Sequence, residues 1–211
     1  CSQKEIPFWR AVLLDDMNER TVSEEESFQM MEAMWDAMLR ASDSYDEKLV
    51  SSSGLVGMMG GQMEKYRKEG DTLCGDFVSR VIVQALQMGE SNACMKRIVA
   101  APTAGACGVI PAVLVPLYRD NKADREMIVQ SLYVTAGIGQ VIASRAFIAG
   151  AAGGCQAEIG AASSMAAGAL VYLKGGDNSQ IMHAAAMALK NLLGLVCDPV
   201  AGLVEVPCVK R

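Results

Sequence analysis

Three cysteines are set apart by their neighbours. Cys155 follows Gly153-Gly154 at a helix start, Cys197 precedes Asp198-Pro199 just past a helix end, and Cys208 follows Pro207 eleven positions later. Glycine and proline interrupt regular backbone, so all three are expected in irregular segments, where side chains from distant parts of a chain can converge on a metal. At a helix start the free N–H groups and the helix dipole favour thiolate over thiol, and the thiolate is the form that ligates. No Cys-x-x-Cys pair is present, so neither zinc-ribbon nor ferredoxin spacing applies. On residue type and spacing alone, a metal cluster and a set of buried structural thiols both stay open. The other four cysteines, Cys1, Cys74, Cys94 and Cys107, are expected to be non-ligands, with Cys107 in a loop close to the proposed site.

The elements that position these cysteines read as helices. Half of the chain is apolar (51%), aromatics are scarce (5%), and there are 20 Gly and 14 Met. Small residues let helices approach closely and Met fills irregular gaps, whereas a β-sandwich would need more Val, Thr and aromatic residues. Ser23 with Glu26 forms a capping box before an acidic first turn. The helix that follows places Met30, Met31, Met34, Trp35, Met38 and Leu39 on one face, read as core. Further helices are expected near 61–68, over 75–88 with Phe77, Val78, Val81, Ile82, Ala85 and Leu86 inward, across 109–117, over a long buried stretch of about 123–149, from Cys155 onward, and over about 179–194.

Two small-residue loops interrupt them, Ser51-Ser52-Ser53-Gly54 and Ala101-Pro102-Thr103-Ala104-Gly105. No repeat, low-complexity linker or domain boundary is evident. The fold class is therefore all-α, one helical domain over 1–211 with buried Ala/Gly-rich helices, Gly-rich loops at the site and a charged N-terminal layer around a central helix. The net charge of −5, with no basic run beyond Lys210-Arg211, argues against nucleic acid and anionic membranes. The longest apolar stretch, 98–118, is broken by Pro102, Gly105, Gly108, Pro111 and Pro116, unlike a membrane helix. Cys1 to Arg10 lacks the apolar core of an export signal, and the odd total of seven cysteines points to reduced thiols in the cytoplasm.

The strings APTAGACGVIPAVL (101–114), GCQAEIGAASSMAAG (154–168) and KNLLGLVCDPVAGLVEVPCVKR (190–211) closely resemble the alpha chain of bacterial iron–sulfur L-serine dehydratases, and the likeness runs from about residue 20 onward. The resemblance implies that Cys155, Cys197 and Cys208 ligate three irons of a [4Fe–4S] cluster whose fourth iron stays open as a Lewis acid. On that pattern L-serine loses water, and the resulting aminoacrylate hydrolyses to pyruvate and ammonia. Three thiolates and a vacant iron suit catalysis, much as a catalytic zinc keeps one open position.

The resemblance also places Ser51, Ser52, Ser53 and Gly54, with Thr103, Ala104 and Gly105, along the substrate site, where hydroxyls and free N–H groups suit a carboxylate. The competing reading of the serine run is a solvated turn. Glu158, Lys190 and Asp198 are candidates for orienting a ligand or the substrate ammonium. His183, the single histidine, lies among alanines and reads as a packed side chain rather than a base.

No lysine suggests a Schiff base, so pyridoxal phosphate is not expected. No convincing proton-abstracting base is found either; the family's second unit, a beta chain or domain, is expected to supply it. Alpha chains of the family continue past the CVKR string, and that continuation is expected to cover the cluster, so its lack here is expected to weaken cluster retention. Expected partners are L-serine and the beta chain, with self-association left open. Rival readings are a cysteine desulfidase, a non-catalytic iron–sulfur redox or oxygen sensor, and a helical interaction subunit with structural thiols.

Overall fold

A computed structural model describes residues 6–211; Cys1 lies outside them. Ten α-helices are described: α1 (Phe8–Arg20), α2 (Glu24–Asp43), α3 (Met59–Glu69), α4 (Gly75–Ala93), α5 (Val109–Arg119), α6 (Arg125–Ala143), α7 (Gly150–Gly153), α8 (Cys155–Leu173), α9 (Asn178–Asn191) and α10 (Glu205–Lys210), with a single 3₁₀ turn at Ala104–Ala106. Extended pairing among the described residues is limited to the isolated bridges Val50–Gly57 and Val200–Leu203. The expected all-α class is therefore what the chain adopts. Among the described residues no helix is long and apolar enough to cross a membrane.

Local signals set the helix starts. The Ser23–Glu26 capping box forms as expected, and Asp177 with Gln180 forms a second one at α9. Asp124 caps α6 by accepting from the Met127 N–H at 2.8 Å. Helix α8 is the hub. It packs on α9, α6, α5 and the 3₁₀ turn, while α4 packs on α3, α5 and α10, and α1 and α2 cover α6.

Close approach explains the small residues of α8. A methyl group on Gly168 would stand 2.2 Å from Ile138 Cδ1, and one on Gly160 3.1 Å from Leu189 Cδ1. The main core runs from Trp35 and Met38 through Ile110, Leu114 and Ile128 to Met165, Ala169 and Ile181. Trp35 meets Tyr118 edge-to-face, with ring centroids 5.5 Å apart.

Several expectations fail for identifiable reasons. Met30 and Met34 are half exposed, leaving Trp35 and Met38 as the buried members of their stripe. On α4, Val78 and Ile82 are exposed, and the buried face holds Ser79, Val83, Gln84 and Met88 to Ser91. Polar groups can take that face because Ser79, Gln84 Oε1 and Glu90 find partners, although Gln84 Nε2 is buried without one. The Ser79 hydroxyl donates to the Gly75 carbonyl at 2.7 Å, and Gln84 Oε1 accepts from Ser42 at 2.9 Å.

The long helix ends at Ala143, short of 149, because nothing covers the apolar residues that continue its pattern: Phe147 is 70% exposed. His183 is exposed on α9, not packed, since α8 takes the Ile181 and Ala185 face of that helix. Helix α1, not among the expected helices, has a weakly amphipathic pattern that burial against α6 stabilises.

Candidate active site

Cys155 is the first residue of α8, and Gly154 before it adopts φ +75°, ψ −178°, a conformation essentially restricted to glycine. A Cβ there would lie 3.3 Å from Leu195 O and Val196 Cα and 3.4 Å from Cys197 N. The missing side chain thus lets the 195–197 backbone rest on the helix start. Two hydrogen bonds hold it: the Gln156 N–H donates to Leu195 O at 2.7 Å, and the Gly194 N–H donates to Gln156 Oε1 at 2.8 Å. The Cys155 side chain is buried with Ala106, Ile159 and Ala162. Arg211 reaches over it, with one guanidinium nitrogen 3.6 Å from Sγ and 2.6 Å from Val196 O, and pairs with Asp198.

Cys208 comes from α10, not from irregular backbone as expected. Its helix is seated by Val209, whose Cα comes within 3.2 Å of where a Cβ on Gly89 would stand. Burial pushes the Cys208 thiol up to about 11, and the nearby negative charges of Glu158, Cys155 and Cys197 add to the shift. The three singled-out cysteines therefore share one neighbourhood, with Cys155 buried, Cys208 half-buried and Cys197 exposed. Among the described residues, no three His, Cys, Asp or Glu side chains stand close enough together to grip a metal ion. The sulfurs share a neighbourhood, not a preformed ligand shell. Cys107 is sealed in the core, its thiol pushed up to about 12 by burial, while Cys74 is exposed.

The serine loop closes on itself. The Ser51 N–H donates to Val56 O at 2.8 Å, Ser51 Oγ accepts from the Val56 N–H, Ser53 Oγ accepts from the Leu55 N–H, and the two hydroxyls are 3.1 Å apart. Gly54 turns it with φ +75°. Ser51 is buried, and Ser52, Ser53 and Gly54 are exposed. The Ser51 and Ser53 hydroxyls face Glu205 and hold its carboxyl below the usual range. The chain's own Glu205 carboxylate therefore shares the neighbourhood of the serine loop. A cleft of about 350 Å³ opens beside this contact, lined among others by Ser52, Ser53, Asn92, Met95, Glu205 and Cys208.

The second loop approaches from the other side. Thr103 donates its hydroxyl to Glu158 Oε1. Asn92 Nδ2 donates to Ala104 O at 3.0 Å, and a Cβ on Gly105 would stand 2.7 Å from both Glu158 oxygens. Gly105 is glycine because a carboxylate fills the space of its side chain.

The residue pattern of the family "Serine dehydratase alpha chain" matches residues 3–211. The chain belongs to that family. It is 41% identical over 209 residues to the probable L-serine dehydratase alpha chain of Bacillus subtilis (strain 168), covering 99% of this chain and 70% of that one. It is 40% identical over 212 residues to the L-serine dehydratase alpha chain of Peptoniphilus asaccharolyticus, covering 100% and 73%. Over 152 residues it is 43% identical to an L-serine dehydratase of Streptomyces coelicolor, of which it covers 32%.

For a serine dehydratase alpha chain, the sequence reading of the site missed Glu90, Asn92, Glu205 and Arg211. Glu90 is fully buried and accepts from the Met59 N–H (2.6 Å), the Gly60 N–H (3.1 Å) and the Tyr45 hydroxyl (2.7 Å), anchoring the residues that follow the serine loop. A glutamate in an otherwise amphipathic helix carries no local mark of burial. Lys190 is exposed at the end of α9, away from the hydrogen bonds that build the site. Asp198 touches it only through Arg211.

Proposed function

We propose that this chain is the cluster-binding part of an iron–sulfur L-serine dehydratase that converts L-serine to pyruvate and ammonia in the cytoplasm. The observation that carries the reading is the gathering of Cys155, Cys197 and Cys208 from three separate segments: the 195–197 backbone rests on the helix start that carries Cys155, and Arg211, on the segment of Cys208, lies 3.6 Å from Cys155 Sγ. Family membership supplies the reaction class, because the relatives in the comparison are L-serine dehydratases.

The donor set fits an iron–sulfur centre. Thiolates are its usual ligands, and three of them leave one iron without a protein ligand. When bound, the cluster supplies a Lewis acid that polarises the substrate C–O bond. The chain's own residues do the rest of the holding. Ser51 and Ser53 offer hydroxyls to a carboxylate, a place taken by Glu205 until substrate enters. The Thr103–Gly105 turn is pinned by Asn92, which also lines the cleft.

No histidine or lysine lines the cleft beside Cys208, and we place the proton-abstracting base on the beta chain. Exposed apolar side chains near the site, Met95 (88%), Leu193 (67%) and Val196 (60%), suit an interface with that partner.

Anaerobic reconstitution with iron and sulfide, followed by addition of the beta chain and L-serine, tests the proposal. Pyruvate formation with a charge-transfer absorbance at about 400 nm is expected. Cys155→Ala, Cys197→Ala and Cys208→Ala should each lower bound iron, and undiminished iron in all three would refute the ligand assignment. Sulfide release from cysteine without turnover of serine would favour a desulfidase.

A further inference from the structure

Glu158 stands one turn after Cys155, so the two project from one side of α8. Its carboxylate is held in place from several directions. The Thr103 hydroxyl donates to Oε1, and a Cβ on Gly105 would be 2.7 Å from either oxygen. A Cβ on Gly150, the first residue of α7, would be 2.5 Å from Oε2. Three residues from two segments thus converge on one carboxylate, and two of them must be glycine to let it in.

What it lacks is a cation. Among the described residues, none of the lysine or arginine ion pairs involves Glu158. The nearest arginine in the site, Arg211, is engaged by Asp198 and by Val196 O. A fixed, partly buried carboxylate one turn from Cys155, with no cation paired to it, is costly unless a partner arrives.

We propose that Glu158 receives the α-ammonium group of the amino-acid substrate and so selects amino acids over hydroxy acids. The inference rests on the serine dehydratase reading and adds to it. The ends of the substrate are then sorted by charge: ammonium at Glu158, carboxylate at hydroxyls and free N–H groups, and the β-hydroxyl toward the thiols. Thr103, Gly105 and Gly150 are positioning residues that keep the carboxylate in one place.

The test uses the reconstituted complex of this chain with its beta chain and compares two ligands. L-Serine carries the ammonium; glycerate, the same molecule with a hydroxyl in its place, does not. Glu158→Gln keeps shape and removes charge. It should raise the KM for L-serine by roughly 10- to 100-fold, the worth of a charge-assisted hydrogen bond. The inhibition constant of glycerate should move less than about twofold, and iron per chain should stay at the wild-type level. Equal weakening of both ligands, or no change in either, overturns the assignment. If Glu158→Gln does not fold, Glu158→Asp gives the same comparison with charge retained and reach shortened: selective loss of serine supports the proposal, and equal loss overturns it. A wild-type complex that makes no pyruvate from L-serine overturns the functional reading itself, and this inference falls with it. An active wild type with an unselective variant removes only Glu158.

Discussion

A single methyl group on Gly154 would disturb the contact between the Cys155 helix start and the Cys197 segment. The Gly154 φ of +75° with ψ −178° lies where a residue with a Cβ costs about 1–3 kcal/mol. The added methyl of Gly154→Ala would also press on Leu195 O, Val196 Cα and Cys197 N at 3.3–3.4 Å. These are backbone atoms, unable to rotate aside, so overpacking adds to the strain. A total near 2–4 kcal/mol is expected. With a slope of about 2 kcal/mol per M, the urea midpoint should fall by about 1–2 M.

The same displacement should separate Cys197 from Cys155, so iron retained after anaerobic reconstitution should drop below the wild-type content. Gly160→Ala is the matched control. It lies inside the helix that Gly154 precedes, and its methyl would meet the flexible tip of Leu189 at 3.1 Å and Leu192 Cβ at an ordinary 3.9 Å. The helix-propensity gain of about 1 kcal/mol should offset that contact, leaving stability within about 1 kcal/mol of wild type. A Gly154→Ala protein as stable as wild type that binds as much iron would show that Gly154 does not join the two cysteine segments.

Gly168→Ala should destabilise by about 1–3 kcal/mol in urea melts despite better helix propensity, because its methyl would stand 2.2 Å from Ile138 Cδ1. Glu90→Ala leaves the Met59 and Gly60 N–H groups and the Tyr45 hydroxyl without their acceptor; a loss of about 3 kcal/mol or more is expected. Cys107 should resist alkylation in the folded chain while Cys197 and Cys74 react. Burial raises its pKa from 9.0 to about 12, so its contribution to stability is fully present below pH 9 and is lost as pH rises toward 12. That loss is read as a falling urea midpoint that Cys107→Ala does not share. Replacing Ser51 and Ser53 together by alanine should let the Glu205 carboxyl, now held down by those hydroxyls, titrate closer to its ordinary value, as followed by carboxyl NMR.

Local rules made much of the fold legible. The capping box at Ser23, the turn before α9 and the glycine before Cys155 each act through atoms within a few residues, so a sequence pattern is sufficient to find them. Periodicity was less reliable. It marked Val78 and Ile82 as inward, yet the face that α3, α5 and α10 cover carries Ser79, Gln84 and Glu90. Such a face is available only because partners from Tyr45, Ser42 and the start of α3 arrive from elsewhere in the chain. His183 was misread in the same way: alanine neighbours suggested burial, but α8 covers another side of its helix.

By itself, the sequence determined the helical class, most helix starts, the need for small residues in α8 and, through long family-like strings, the family. The tertiary structure decided what each polar group meets. It placed Glu205 on the serine hydroxyls, Glu158 against Gly105 and Gly150, and Arg211 over Cys155. Periodicity and capping are short-range effects of backbone geometry, whereas a carboxylate's partner depends on segments brought together only when the chain folds.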